Sequence, residues 1–153
     1  MLIKNYRLCV FVFTIGIAAA PLLARPADQI RVRTAGYKDM GAAFKSVLDG
    51  LRSRNLPPAV AQQAATRISN AARNQYGWFP AGSGPQPGVK TAAKPEIWTR
   101  AGDFRRAQDT LAAQAMHFQA AVASGDAARI RTEALKLGGA CKQCHDTFRQ
   151  PEG

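Results

Sequence analysis

The chain has 153 residues, with 21 Lys and Arg against 10 Asp and Glu, a formal charge of +11 at pH 7 and 46% apolar residues. That length suits one domain. A surplus of positive charge can serve nucleic-acid binding, but no nucleic-acid motif appears, so steering towards acidic protein partners or anionic lipid is the functional reading, beside the plain one that the charge keeps the protein soluble.

The N-terminus reads as a secretory signal peptide. Met1 to Arg7 carries Lys4 and Arg7, and Leu8 to Ala24 is almost wholly apolar, ending on a small residue. Ala18-Ala19-Ala20 resembles a cleavage box, but Pro21 would follow that cut, so cleavage after Ala24 is expected. Cys9 precedes the apolar run instead of ending it, which argues against a lipoprotein anchor. At 17 residues with a proline inside, the run is too short for a comfortable membrane span. Residues 1–24 are therefore expected to be removed and residues 25–153 to form the mature domain, exported to the periplasm with a charge near +9.

Helical periodicity fills most of that domain. In the first segment Ile30, Arg33, Tyr37, Met40, Phe44, Val47 and Leu51 recur at steps of three and four. Asn55-Leu56-Pro57-Pro58 separates it from a second, alanine-rich helix with Val60, Ala64, Ile68 and Ala71 as its stripe; proline is accepted at a helix start but not inside one. Gly77 to Lys94 is a long loop rich in glycine and proline, and loops of that length are functional or disordered. Trp78, Phe79 and Trp98 lie in or beside it and should fold against an apolar object, either a cofactor edge or the ordinary core. Pro95-Glu96 opens a third helix, with Ile97, Ala101, Phe104, Gln108, Leu111, Ala115, Phe118 and Val122 as its stripe. Ser124-Gly125-Asp126 makes a tight turn with Asp126 as N-cap. The fourth helix carries Ile130, Ala134, Leu137, Cys141, Cys144 and Phe148, and Pro151 ends it. The pattern predicts an all-α fold, an antiparallel four-helix bundle.

The fourth helix holds the chemistry. Cys141-Lys142-Gln143-Cys144-His145 has the C-x-x-C-H spacing of covalent c-type haem attachment. Two thiols on one helical face can add to the two vinyl groups of one porphyrin, and the adjacent imidazole then serves as proximal iron ligand. A thioredoxin-like redox pair would need a βαβ context, and no convincing strand is present. Structural zinc needs four ligands, and only His117 remains once Cys9 is assigned to the signal peptide. In an oxidising compartment two free cysteines would pair; here thioethers are expected instead.

Both cysteines occupy stripe positions, so the porphyrin must enter between helices, where bundles build cofactor sites. Arg149, one turn beyond His145, is expected over the imidazole or the haem edge, with a solvated cation at a helix end as the alternative. Arg33 interrupts an apolar stripe, and a charge facing a core is costly unless paired; a haem propionate would pair it. Tyr37 and Met40 follow on the same face and compete for the position nearest the sixth coordination site. Met40 as ligand would give a low-spin electron carrier, while Tyr37 as a packed aromatic would leave the iron five-coordinate. Thr34, Thr91 and Trp98 complete the expected cofactor contacts, and His117, beside Phe118, should lie at the surface. A peroxidase would need a distal acid–base group, and no histidine falls on the distal stripe.

These residues resemble a family. Arg33-Thr34-Ala35-Gly36-Tyr37-Lys38-Asp39-Met40-Gly41 is similar to the first-helix signature of the cytochromes c-prime. Lys94-Pro95-Glu96-Ile97-Trp98 resembles their third-helix start, and Gly139 to Arg149 resembles their haem-binding C-terminus. The likeness implies a periplasmic monohaem bundle, with the arginine on a propionate and a bulky residue four later blocking the distal face. It also implies one-electron exchange with redox partner proteins and binding of nitric oxide and carbon monoxide; with no distal acid–base group, no enzymatic role is expected. Thr34 stands where many members carry glutamine, a difference at one propionate hydrogen bond. Phe148 stands where many carry tyrosine, which removes a hydroxyl near the proximal side. Low-spin relatives place methionine where this chain has Tyr37, so the high-spin branch is expected. The family's homodimers use the first two helices, an arrangement that the alanines of the second helix would allow and that Arg67 and Arg73 do not favour.

Overall fold

A computed structural model of the protein describes residues 26–86 and 89–151; the expected signal peptide lies outside them. Four long helices form the bundle: α1 (Pro26–Arg52), α2 (Pro58–Asn74), α4 (Ala101–Ser124) and α5 (Ala127–Phe148). A 3₁₀ turn at Gln75–Gly77 ends α2, and the short α3 (Glu96–Thr99) precedes α4. Successive long helices pack on one another, α1 on α2, α2 on α4 and α4 on α5. Among the described residues there is no strand, only two isolated bridges.

Local chemistry sets the helix ends. Pro58 opens α2, where a missing N–H costs nothing. Asp126 caps α5, its Oδ1 accepting from the N–H of Ala128 at 2.8 Å and of Arg129 at 3.1 Å. Gly125, at φ 71°, closes α4 in the left-handed conformation that glycine adopts without strain.

Val47, Ile68, Leu111, Phe118 and Leu137 meet at the centre, all 4% exposed or less. Burying side chains of this size is worth about 1.5–3 kcal/mol each. Helix α2 contributes mainly alanines, Ala61, Ala64, Ala65, Ala71 and Ala72, which let it lie between α1 and α4. Val60 departs from its expected stripe and is 36% exposed. With neighbours on both sides, α2 buries a wide face on which Ala61 takes the inward place in the first turn. Arg67 turns to Asp39 of α1, and Arg73 donates to Ser69 Oγ at 2.8 Å, so both cations are engaged within the chain.

The third expected helix is broken. Arg100, at φ −122° and ψ 47°, separates α3 from α4. Lys94 N–H donates to Phe148 O at 3.0 Å, which anchors the start of α3 to the end of α5. Helix α4 follows the bundle axis instead, and Arg100 absorbs the change of direction while Asp103 pairs with both Arg100 and Arg106.

Gly36 shows how closely the loop after α2 approaches α1. A Cβ there would overlap the outer atoms of the Trp78 indole, itself 9% exposed. Gly36→Ala should therefore destabilise the fold by about 1–3 kcal/mol through overpacking, although alanine is the better helix former by about 1 kcal/mol. A urea midpoint at or above wild type would show that the indole yields freely.

Candidate cofactor site

Cys141 and Cys144, one helical turn apart on α5, are half-buried free thiols. Cys141 packs against the main core together with Tyr37 and Phe44. Cys144 packs against a second cluster of Ile97, Phe104 and Phe148. Phe79 of the long loop touches both clusters, and its ring stands 4.8 Å from that of Phe104. Burial pushes both thiols up, Cys144 to about 11. A redox-active C-x-x-C pair needs the opposite, a thiol acidified by its surroundings. His145 is exposed and lies one helical turn after Cys141, one step round from Cys144. Among the described residues no three His, Cys, Asp or Glu side chains gather to hold a metal by themselves.

Across from the thiols, α1 supplies Arg33, which is 3% exposed. Its Nη1 donates to Ser83 O at 2.7 Å and Ser83 Oγ at 3.2 Å, and its Nη2 donates to Thr91 Oγ1 at 2.9 Å. Its guanidinium carbon lies 5.0 Å from the Phe79 ring centroid and 5.6 Å from that of Trp98. Every one of these partners is neutral, and burial pulls the guanidinium below its ordinary pKa. Neutral acceptors and ring faces offset part of the desolvation of a cation; a carboxylate would offset far more.

Tyr37 of α1 packs on the main core together with Cys141. Burial holds its phenol well above the ordinary range, Cys144 and Cys141 add to that rise, and Arg33 opposes it. The hydroxyl donates to Gln75 Oε1 at 3.2 Å, and the ring meets Trp78 edge-on with centroids 4.9 Å apart. Met40, its rival for the distal position, is 8% exposed and belongs to the main core.

The remaining expected contacts divide. Thr91 and Trp98 join the Arg33 group, and Trp98 Nε1 also donates to Pro80 O at 3.1 Å. Thr34 is exposed and lines an outer groove of about 570 Å³ with Arg31, Lys38 and Lys90. Helix α5 stops at Phe148, and Arg149 is extended, with its N–H on His145 O at 3.0 Å and its backbone bridged to Ala93. His117 is exposed on α4. Two residues had no distinguishing signal in the sequence. Ser83 lies in a loop without periodicity, and Gln75 is one polar residue among many at a helix end.

The donor set fits a haem c. Two thiols at C-x-x-C spacing lie on a half-buried helix face, the rings of Phe79, Phe104, Phe148 and Trp98 provide apolar surface, and the buried Arg33 cation rests on neutral partners among the described residues. The comparisons with known proteins agree. Residues 28–149 match the family described as Cytochrome C′. Cytochrome c′ of Rubrivivax gelatinosus is 32% identical over 127 residues, spanning 82% of this chain and 97% of that protein. The crystal structure of cytochrome c′ from Thermochromatium tepidum shares the fold at a TM-score of 0.78 and 29% identity, covering 82% of this chain and 97% of its own. A nitric oxide complex of a mutant cytochrome c prime from Alcaligenes xylosoxidans matches in fold, with a TM-score of 0.76 at 22% identity over 84% of this chain and 98% of its own. With its bundle, its paired thiols and its match over residues 28–149, the chain belongs to the cytochrome c′ family, whose haem c it binds covalently through Cys141 and Cys144.

Proposed function

We propose that the protein is a periplasmic, high-spin monohaem cytochrome that exchanges single electrons and binds nitric oxide and carbon monoxide. Haem c, when bound, would supply a redox-active iron able to exchange one electron and to bind a small neutral gas. His145 is the proximal ligand in this reading, Arg33 and Thr91 hold a propionate, and Tyr37 covers the opposite face. Residues 1–24 direct export, and no helix among the described residues is long and apolar enough to cross a membrane.

One observation carries the reading: the Tyr37 ring packs on the main core beside Cys141, with its phenol buried and subject to the charge of both thiols. A buried neutral phenol is a poor iron ligand, and its ring takes up the space that a sixth ligand needs. The same neutrality leaves the distal side without a general base, which sets a peroxidase aside. The nitric oxide complex of the Alcaligenes protein supports the gas-binding half by analogy of fold. The surplus of positive charge would steer acidic redox partners for the other half.

The ferric and ferrous spectra of the purified protein test the reading directly. Five-coordinate high-spin iron is expected. Tyr37→Ala should tighten carbon monoxide binding by about ten- to a hundredfold, since each 1.4 kcal/mol of steric cost removed is a factor of ten. Tyr37→Met should introduce a thioether and shift the iron towards six-coordinate, low-spin behaviour. A wild-type spectrum that is already low-spin with a sulfur ligand would place Met40 on the iron and make the protein an electron carrier alone.

A further inference from the structure

Two glutamines are buried inside the bundle. Gln75 is 1% exposed and Gln108 is 5% exposed, and a buried amide without partners is strongly unfavourable. They satisfy each other. Gln75 Nε2 donates to Gln108 O at 3.1 Å, and Gln108 Nε2 donates to Gln75 O at 3.1 Å. Gln75 Nε2 also donates to Ala72 O at 3.1 Å. With its nitrogen facing two carbonyls, the Gln75 amide has one orientation, and that orientation leaves Oε1 as the acceptor for the Tyr37 hydroxyl at 3.2 Å. The backbone oxygen of Gln75 takes the Trp78 N–H at 3.1 Å as well. Trp78 is the ring that meets Tyr37 edge-on. One residue, placed where α2 gives way to the 3₁₀ turn, thus holds both the hydroxyl of Tyr37 and the indole beside it. Leucine at either glutamine would bury more apolar surface, but it would fix no direction.

We infer that Gln75, clamped by Gln108, is the positioning residue for Tyr37 and through it sets how strongly the protein discriminates against carbon monoxide. The inference rests on the reading of Tyr37 as the residue covering the open axial side.

Carbon monoxide titration of the haem-loaded ferrous protein tests it. Tyr37→Phe removes only the hydroxyl, and it should bind carbon monoxide about tenfold more tightly, the loss of one hydrogen bond. Gln75→Leu should match it within about twofold, and the double variant should bind no more tightly than either single one. Gln75→Glu keeps an acceptor but loses the N–H donors that fix it on the Ala72 and Gln108 carbonyls, so it should move with Gln75→Leu and not with wild type. If the two single effects multiply in the double variant, Gln75 acts by another route and the inference is overturned. Tyr37→Phe binding like wild type would overturn it even if Gln75→Leu failed to fold. In that event Tyr37→Ala separates the two failures. Tighter binding there means that the ring blocks the site unaided and only this inference falls; unchanged binding removes the reading of Tyr37 too.

Discussion

Replacing Cys141 and Cys144 together with serine is expected to abolish covalent haem altogether. Each thioether forms when a thiol S–H adds across a vinyl double bond, and a serine hydroxyl is far too weak a nucleophile to take its place. Either single change should leave one thioether. The sulfurs serve different parts of the fold, because Cys141 packs on the main core with Tyr37 while Cys144 packs on the Ile97, Phe104 and Phe148 cluster. Losing either bond would free one side of the porphyrin from the helix that carries His145. Acid–acetone extraction of the denatured protein reads the result, with intact-protein mass as the second measure. Haem retained on the doubly substituted chain after extraction would move the attachment elsewhere.

The second large effect is expected at Phe118, at the middle of α4 and 0% exposed. Phe118→Ala removes a ring from the main cluster shared by all four long helices, where little can collapse into the gap. The expected loss is about 3–5 kcal/mol, a large part of the roughly 5–15 kcal/mol that holds a domain together. The drop should appear as a lower denaturant midpoint with an unchanged slope. Leu135→Ala is the control: Leu135 is 69% exposed, and its removal should change stability by less than about 0.5 kcal/mol. Equal losses at the two positions would contradict the packing described for α4.

Much of this arrangement was legible from residue spacing. The stripes on α1, α4 and α5 follow the helical period, and their buried members coincide with the residues that the period selects, from Ile30 and Val47 to Phe118 and Leu137. The Asp126 cap and the Gly125 turn were equally plain, because their chemistry is local. Illegible features depended on distant neighbours. The break at Arg100 follows from anchoring Lys94 to Phe148, 54 residues later, which no local pattern records. Val60 and Ala61 exchanged roles because α2 has partners on two sides. Of the residues that meet Arg33, Thr91 was among the expected cofactor contacts, while Ser83 was not, since a loop serine carries no period to betray its partner. Arg149 was expected on the helix but leaves it, its backbone drawn into the bridge with Ala93.

That pinning of the long loop has a kinetic side. The α4–α5 hairpin closes through a two-residue turn and can form from local contacts alone. The Arg33 clasp joins residues 50 and 58 positions apart, and the pairing of residues 92–94 with 148–150 spans a similar stretch. Closing such large loops costs entropy before any contact returns it. The loop-closure cost favours forming the helical hairpins before the clasp.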